Sequence, residues 1–153
     1  MGYRCEVKQI DGIYFISGQL DKTFRVTVDA MAAEPFISIN LKDLISINSG
    51  GIREWVMLML KMKNSSIELF ECPKVFIDQV NMVKDFVPSN VKIMSFYVPY
   101  YNEKSGVEKN VLFRLNHEYT PNKVLPFKKV FDDHGLELDL DVVESKYFKF
   151  ILG

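Results

Sequence analysis

The sequence has few cysteines and histidines, no apolar run long enough to cross a bilayer, and no excess of charge of either sign. Its 153 residues include two cysteines and two histidines, and 19 lysines and arginines nearly balance 20 aspartates and glutamates. No broad basic field is therefore present to bind nucleic acid or an anionic membrane. Two isolated cysteines, without a CxxC pair, fit a reducing compartment better than a disulfide framework. We expect a cytoplasmic protein that binds no nucleic acid and does not insert into a membrane.

The sequence also lacks the usual signatures of catalysis. Its glycine-flanked turn, INSGGIREW at residues 47–55, has neither the lysine and spacing of a P-loop nor a GxGxxG pattern. It also lacks the glycine that stands two residues before the serine of a nucleophile elbow. His117 and His134 lie in a polar C-terminal part, where a histidine is more often an exposed loop residue than a catalyst. We therefore predict that the protein is not an enzyme and has no catalytic residue and no cofactor.

The order of the apolar patterns predicts an α/β fold. The predicted elements, in chain order, are a hairpin of YRCEVKQ and GIYFISG, the strand PFISINL, a helix over residues 52–62, the strand SIELFE, a helix from Pro73 to Val87, and the strand VKIMSFYV. Residues 22–34 are ambiguous. Alternating strands and helices of this kind predict a mixed sheet with packed helices. The two helices share one side if the sheet progresses in one direction and lie on opposite sides if it reverses.

After Val98 the pattern changes to short extended segments. A hairpin with its turn at residues 104–106, a strand HGLELDL and a terminal helix DVVESKYFKFIL are predicted there. We expect residues 99–153 to form a small β-rich C-terminal extension, ending in a helix, that packs on an α/β domain of residues 1–98. Tyr147, Phe148 and Phe150 anchor the terminal helix to the core in this interpretation, with a dimer contact as the alternative.

Two stretches have the motifs of a known family in the expected order. GIYFISGQLDKTF contains the GxLD sequence at residues 18–21, and ISINLKDLISINSGGIREW runs from an apolar strand through a serine-containing turn into a helix. These stretches are similar to the GxLD turn and the Asp-Ser-Ser-Gly turn of the STAS domain. That domain is the fold of bacterial anti-sigma-factor antagonists, stressosome proteins and the cytoplasmic tails of some anion transporters. The resemblance covers residues 4–98 and implies a STAS-like mixed β-sheet with packed helices.

The resemblance implies that Ser49 is the residue that a partner kinase phosphorylates. The chain departs from the family pattern on both sides of it, because Asn48 replaces the aspartate and Gly50 replaces the second serine. Asparagine still caps a helix by accepting a backbone N–H, but it brings no charge to the turn. The alternative is that Asn48 or Ser49 is an ordinary helix cap and that the glycines only let the turn pass close to a neighbour.

The residues proposed to bind a partner surround this turn. They are Asp21, Asn48, Gly50, Gly51, Arg53 and Met57. Asp21 is either a turn residue or a partner contact. Arg53 follows Ser49 by one helical turn, where it pairs with a phosphate on that serine. Met57 continues the same side of the helix, either as an adaptable docking surface or as a residue that the extension covers.

The C-terminal part is similar to a zinc ribbon that has lost its cysteines. In the layout of PYYNEKSG and FDDHG, the ligand positions of two CxxC pairs fall on Asn102, Ser105, Phe131 and His134. A structural zinc ion needs four nitrogen or sulfur ligands, and only one usual ligand remains. We therefore predict that no metal is bound.

The resemblance leads to three hypotheses of function. The first is a non-enzymatic regulatory protein–protein interaction module, like an anti-sigma-factor antagonist, whose partner is an anti-sigma factor with serine kinase activity. Phosphorylation of Ser49 would release this partner by adding charge to a fitted interface. The second is a ligand-binding or transporter-accessory STAS domain. The third is a structural domain that packs or forms a homodimer.

Overall fold

A computed structural model of the chain describes residues 4–27 and 34–153. Its strands are β1 (Glu6–Ile10), β2 (Ile13–Leu20), β3 (Phe36–Asn40), β4 (Leu44–Ile47), β5 (Ser66–Phe70), β6 (Val91–Ile93), β7 (Ser95–Tyr101), β8 (Glu108–Arg114), β9 (Tyr119–Thr120), β10 (Lys123–Val124), β11 (Val130–Phe131) and β12 (Glu137–Leu140). Its helices are a 3₁₀ helix (Lys22–Thr27), α1 (Ser49–Lys61), α2 (Lys74–Met82), α3 (Glu144–Tyr147) and α4 (Lys149–Leu152). The predicted mixed α/β architecture is confirmed.

The main sheet has the strand order β1-β2-β3-β5-β6, and β4 also pairs with β2. β1 is antiparallel to β2 across Asp11 and Gly12, whose φ angles of 51° and 81° are those of a two-residue hairpin turn. This confirms the predicted hairpin. The remaining pairs, β2 with β3 and β4, β3 with β5, and β5 with β6, are parallel. The carboxyl ends of β2, β3, β4 and β5 therefore point toward the same edge of the sheet.

Helices α1 and α2 cover one face of this sheet. The rings of Trp55 in α1 and Phe76 in α2 lie 5.1 Å apart, edge to face, so the two helices are neighbours. Right-handed crossovers in a sheet that progresses in one direction require this placement. Side chains alternate along β2, where Tyr14 and Ile16 are buried in the core while Ile13 and Phe15 on the opposite face are half-buried. The face opposite α1 and α2 is thus the more accessible one.

The second helix is shorter than its apolar pattern predicts. α2 ends at Met82, whereas the pattern extends to Val87. The chain turns at Asp85, where φ is 60°, and this turn brings Phe86 into the core. There the carbonyl oxygen of Phe86 accepts a 2.9 Å hydrogen bond from the indole Nε1 of Trp55. The predicted strand VKIMSFYV is likewise divided at Met94 into β6 and β7.

A second sheet, of strand order β11-β12-β7-β8, forms the C-terminal part. The predicted hairpin turn is confirmed between β7 and β8, and the predicted strand HGLELDL contains β12. The predicted terminal helix is instead two short helices that meet at Phe148, where φ is −92° and ψ is 13°. The predicted boundary after residue 98 lies inside β7. The ring of Phe96 in β7 is 5.1 Å from that of Phe150, which agrees with the predicted anchoring of the terminal segment.

Two of the positions that the resemblance to a zinc ribbon assigns to ligands, Asn102 and His134, lie in hydrogen-bonded turns. Asn102 Oδ1 accepts from the backbone N–H groups of Lys104 and Ser105, at 3.0 and 2.9 Å. In the second turn the backbone N–H of His134 donates to Asp132 Oδ1 at 2.8 Å. Side-chain oxygens therefore hold both turns in place. Within residues 4–27 and 34–153 no group of three or more histidine, cysteine or acidic side chains is arranged to hold a metal ion.

Candidate functional site

The turn that contains Ser49 lies at the carboxyl edge of the main sheet. Parallel pairing of β2 with β4 brings the end of β2 beside the start of α1, and the backbone N–H of Asn48 donates to the carbonyl oxygen of Leu20 at 3.2 Å. The contact is closest at Gly51, where a Cβ atom would lie 1.9 Å from the Leu20 oxygen. Only glycine fits at this position. Because Gly51 and Asn48 both contact Leu20, the GxLD turn after β2 and the Ser49 turn form one surface.

Asn48 is the residue that caps α1. Its backbone is extended, and its side-chain oxygen accepts a 2.9 Å hydrogen bond from the backbone N–H of Gly51. Ser49 is the first residue of the helix, is exposed, and makes no side-chain hydrogen bond with any residue that the structure describes. Of the two cap residues that the sequence allows, the structure uses Asn48. The hydroxyl of Ser49 is left accessible.

The surroundings of Ser49 favour an anion. The first turn of α1 carries no acidic residue, and the N-terminal end of a helix attracts negative charge. Arg53 is exposed one helical turn after Ser49. Lys22, a residue that the sequence analysis did not single out, is also exposed, and its backbone nitrogen is 3.3 Å from the position that a Cβ atom on Gly50 would take. Its place directly after the GxLD motif is the signal by which it could have been found.

Asp21 has a structural contact at the edge of this surface. Its carboxylate oxygen Oδ1 accepts a 2.8 Å hydrogen bond from the backbone N–H of Thr23, in the first turn of the 3₁₀ helix. This is the behaviour of a turn residue. Because the side chain is half-buried, part of its surface also remains open to a partner.

The outward side of α1 extends the surface beyond the turn. Met57 is 43% exposed, so the C-terminal part does not bury it. Leu60 is 66% exposed and Leu58 is fully buried. The apolar pattern of the predicted helix instead places Leu60 on the buried face with Trp55 and Met59, and Leu58 away from that face. The reason is the helix register: α1 packs through Gly51, Trp55, Leu58 and Met59, which turns Leu60 outward.

These residues define one continuous patch, which we call the Ser49 surface. It consists of Lys22, Asn48, Ser49, Gly50, Arg53, Met57 and Leu60. Of the residues predicted for partner binding, Gly51 is buried and contributes by positioning the turn.

A second polar cluster, which the sequence analysis missed, lies at the same edge of the sheet. Glu71 follows β5 and accepts hydrogen bonds from Asn40 Nδ2 at 2.6 Å and from the Tyr97 hydroxyl at 2.9 Å. Its backbone N–H donates to Ser95 Oγ at 2.7 Å. The φ angle of Glu71 is 51°, in the left-handed region that few residues other than glycine adopt. Burial, together with the hydrogen bond to Glu71, raises the pKa of Tyr97 to about 12, so its hydroxyl is a donor at neutral pH.

Part of this cluster was within reach of sequence reasoning. Asn40 is the last residue of the apolar strand β3, and Glu71 directly follows the apolar strand β5. Polar residues at the carboxyl ends of neighbouring parallel strands meet at one edge of the sheet. The contribution of Tyr97 had no such signal, because it comes from a strand of the second sheet.

Comparison with protein-family models, with curated proteins and with solved structures finds no match to the chain. None of the helices that the structure describes has the length and apolarity needed to cross a membrane.

Proposed function

We propose that the chain is a non-enzymatic STAS-like regulatory module, similar to the anti-sigma-factor antagonists, that binds a partner protein through the Ser49 surface. The observation that carries the proposal is the accessible hydroxyl of Ser49 at the start of α1, capped by its neighbour Asn48 and packed beside the end of β2. A sheet of one antiparallel and several parallel strands, with two helices on one face, is compatible with this family.

Phosphorylation of Ser49 by the partner is the proposed control. A phosphate brings a charge of about −1.5 to −2 at neutral pH, and it would stand at the helix N-terminus near Lys22 and Arg53. These groups stabilise the anion, so the modified module stays folded. Phosphorylation would lower the affinity for the partner, because the neutral hydroxyl of Ser49 in the contact becomes strongly charged. Phosphorylation would thus act on binding and leave the fold intact.

Ser49→Asp is expected to weaken partner binding by at least about 10-fold, which corresponds to about 1.4 kcal/mol. The partner is first identified by co-purification with the wild-type chain and mass spectrometry, and the Kd is then measured by calorimetry with the purified partner. Ser49→Asn has the same size without the charge and is the matched control, together with Ser49→Ala. Both are expected to bind within about 3-fold of wild type.

Thermal unfolding separates an effect on binding from an effect on folding in these variants. An aspartate at the first helical position is expected to stabilise α1 by about 0.5 kcal/mol relative to asparagine. Binding by Ser49→Asp that equals the wild-type affinity would rule out the phosphorylation switch. Equal loss of affinity in Ser49→Asp and Ser49→Asn would show that the size of the new side chain, and not its charge, weakens binding.

Met57→Lys is expected to weaken the same complex by about 10-fold, because it places a charge in the apolar part of the Ser49 surface. Met82→Lys is the matched control, since Met82 is 70% exposed at the end of α2, beside the C-terminal segment. It is expected to bind like wild type. If the two methionine variants bind equally well, the partner does not contact the outward side of α1.

A further inference from the structure

A cleft of about 400 Å³ lies beside Glu71. Its apolar wall includes Ile13 and Phe70 from the main sheet and Leu112 from β8, and its polar lining includes Asn40, Glu71 and Arg114. Ile13 belongs to the half-buried set of β2, on the face opposite α1 and α2. The cleft therefore lies between strands β7 and β8 and the face of the main sheet opposite α1 and α2, near the carboxyl ends of β3 and β5, where α/β sheets commonly bind ligands.

Glu71 keeps unused hydrogen-bonding capacity in this cleft. Each of its carboxylate oxygens accepts one hydrogen bond, from Asn40 or from Tyr97, and a carboxylate oxygen can accept two. Both of these donors are uncharged. Among residues 4–24 and 34–153, whose side chains the structure describes, no lysine, arginine or histidine forms an ion pair with Glu71. The half-buried carboxylate thus lacks a cationic partner within the described part of the chain.

The basic residues of the cleft lining are Arg114 and His117, and neither forms an ion pair with Glu71. The Arg114 guanidinium pairs with Glu118 at 3.6 Å. Lys42 Nζ lies 5.9 Å from the centre of the Phe15 ring. The charge of Glu71 therefore remains available to a cation that comes from outside the chain.

The carboxylate is also held in a fixed position. Asn40, itself buried, accepts a 2.9 Å hydrogen bond from the backbone N–H of Lys42, which orients its amide toward Glu71. The buried Ser95 fixes the backbone of Glu71 in a conformation that costs about 1 kcal/mol or more for a residue with a side chain. Uncommon backbone angles supported by surrounding hydrogen bonds are a property of preorganised sites.

We propose that this cleft binds a small organic cation, whose primary ammonium group pairs with Glu71 and whose apolar body packs against Phe70 and Leu112. Two sources share this chemistry. One is an arylalkylamine, and the other is an apolar amino acid, whose carboxylate would meet Arg114 at the rim. The site shares no residue with the Ser49 surface. A result against one of the two proposals would therefore leave the other unaffected.

Calorimetric titration of the full chain with 2-phenylethylamine and 2-phenylethanol tests the proposal. The two compounds share the apolar body and differ in the ammonium group. The amine is expected to bind at least about 10-fold more tightly than the alcohol, as for a hydrogen bond to a charged group. Equal binding of the two compounds, or no binding of the amine at millimolar concentration, would overturn the proposal.

L-Phenylalanine then distinguishes the two sources. Tighter binding than the amine, lost in Arg114→Gln, identifies an amino-acid site. Weaker binding than the amine identifies an amine site. Both results require the ammonium group and so support the proposal.

Glu71→Gln removes the charge and retains the shape of the side chain. It is expected to abolish the preference for the amine over the alcohol. Leu112→Lys is a second variant that leaves the hydrogen bonds of Glu71 in place and puts a competing cation on the cleft wall. It is expected to weaken amine binding by at least about 10-fold. A preference for the amine that persists in either folded variant would show that Glu71 does not bind the ammonium group.

Discussion

Gly51→Ala is expected to destabilise the protein by about 3 kcal/mol or more, a large part of the 5–15 kcal/mol typical of a domain. The added Cβ atom would lie 1.9 Å from the carbonyl oxygen of Leu20 and 2.3 Å from its carbonyl carbon. Both atoms belong to the backbone of β2, so no side chain can move aside. Urea unfolding followed by circular dichroism measures the change.

Gly50→Ala is the matched control for this substitution. A Cβ atom there would be 3.3 Å from the nearest atom, the backbone nitrogen of Lys22, and small shifts accommodate such a contact. Alanine also has the higher helix propensity, by about 1 kcal/mol. The stability of Gly50→Ala is therefore expected to stay within about 1 kcal/mol of wild type. Similar stability of the two variants would contradict the close approach of α1 to the end of β2.

Phe96→Ala is expected to cost about 3–5 kcal/mol in the free energy of unfolding. The Phe96 side chain is fully buried in β7. Its ring centre is 5.1 Å from those of Tyr119 and Phe150 and 6.1 Å from those of Tyr147 and Phe148. Truncation would leave a cavity whose lining comes from several elements, and these cannot all move together to fill it.

Phe131→Ala is the control for Phe96→Ala, because Phe131 lies in β11 with 46% of its surface exposed. It is expected to change stability by no more than about 0.5 kcal/mol. The shape of the unfolding curve gives a second result. We expect a single transition for the wild-type chain, since Phe96 pairs with Cys72 on one side of the predicted boundary at residue 98 and packs against Phe150 on the other. Two separate transitions would instead support independent units of residues 1–98 and 99–153.

Features set by neighbouring residues were predictable from the sequence. Asp11 and Gly12 specify the β1–β2 turn by themselves, and the predicted strand PFISINL contains all of β3. The end of α2 was not predictable in this way, because the apolar pattern continues to Val87 while Phe86 leaves the helix to contact Trp55. The two leucines of α1 were misassigned because apolar residues occupy more than one side of this helix, and only the close packing of Gly51 on β2 fixes which side is buried.

The same distinction applies to the two sites. Ser49 and its neighbours form a local motif, so the sequence predicts their proximity, whereas the division of roles between Asn48 as cap and Ser49 as accessible hydroxyl required the structure. Glu71 is 31 residues from Asn40 and 26 residues from Tyr97 along the chain. No spacing rule connects positions that far apart in different strands. The positions of Asn40 and Glu71 at strand ends indicate that these two residues meet, whereas the addition of Tyr97 follows only from the sheet topology.

The packing of the terminal helices on β7 has a consequence for synthesis of the chain. Tyr147 donates a hydrogen bond to the carbonyl oxygen of Tyr97, fifty residues earlier. A ribosome that adds 5–20 residues per second needs roughly 3 to 10 s to make the intervening segment. During that interval the inward side of β7 lacks its partners and presents aromatic surface to the surrounding solution. The aromatic surface of β7 is therefore open to aggregation, or to binding by a chaperone, until the segment that ends at Tyr147 has emerged from the ribosome.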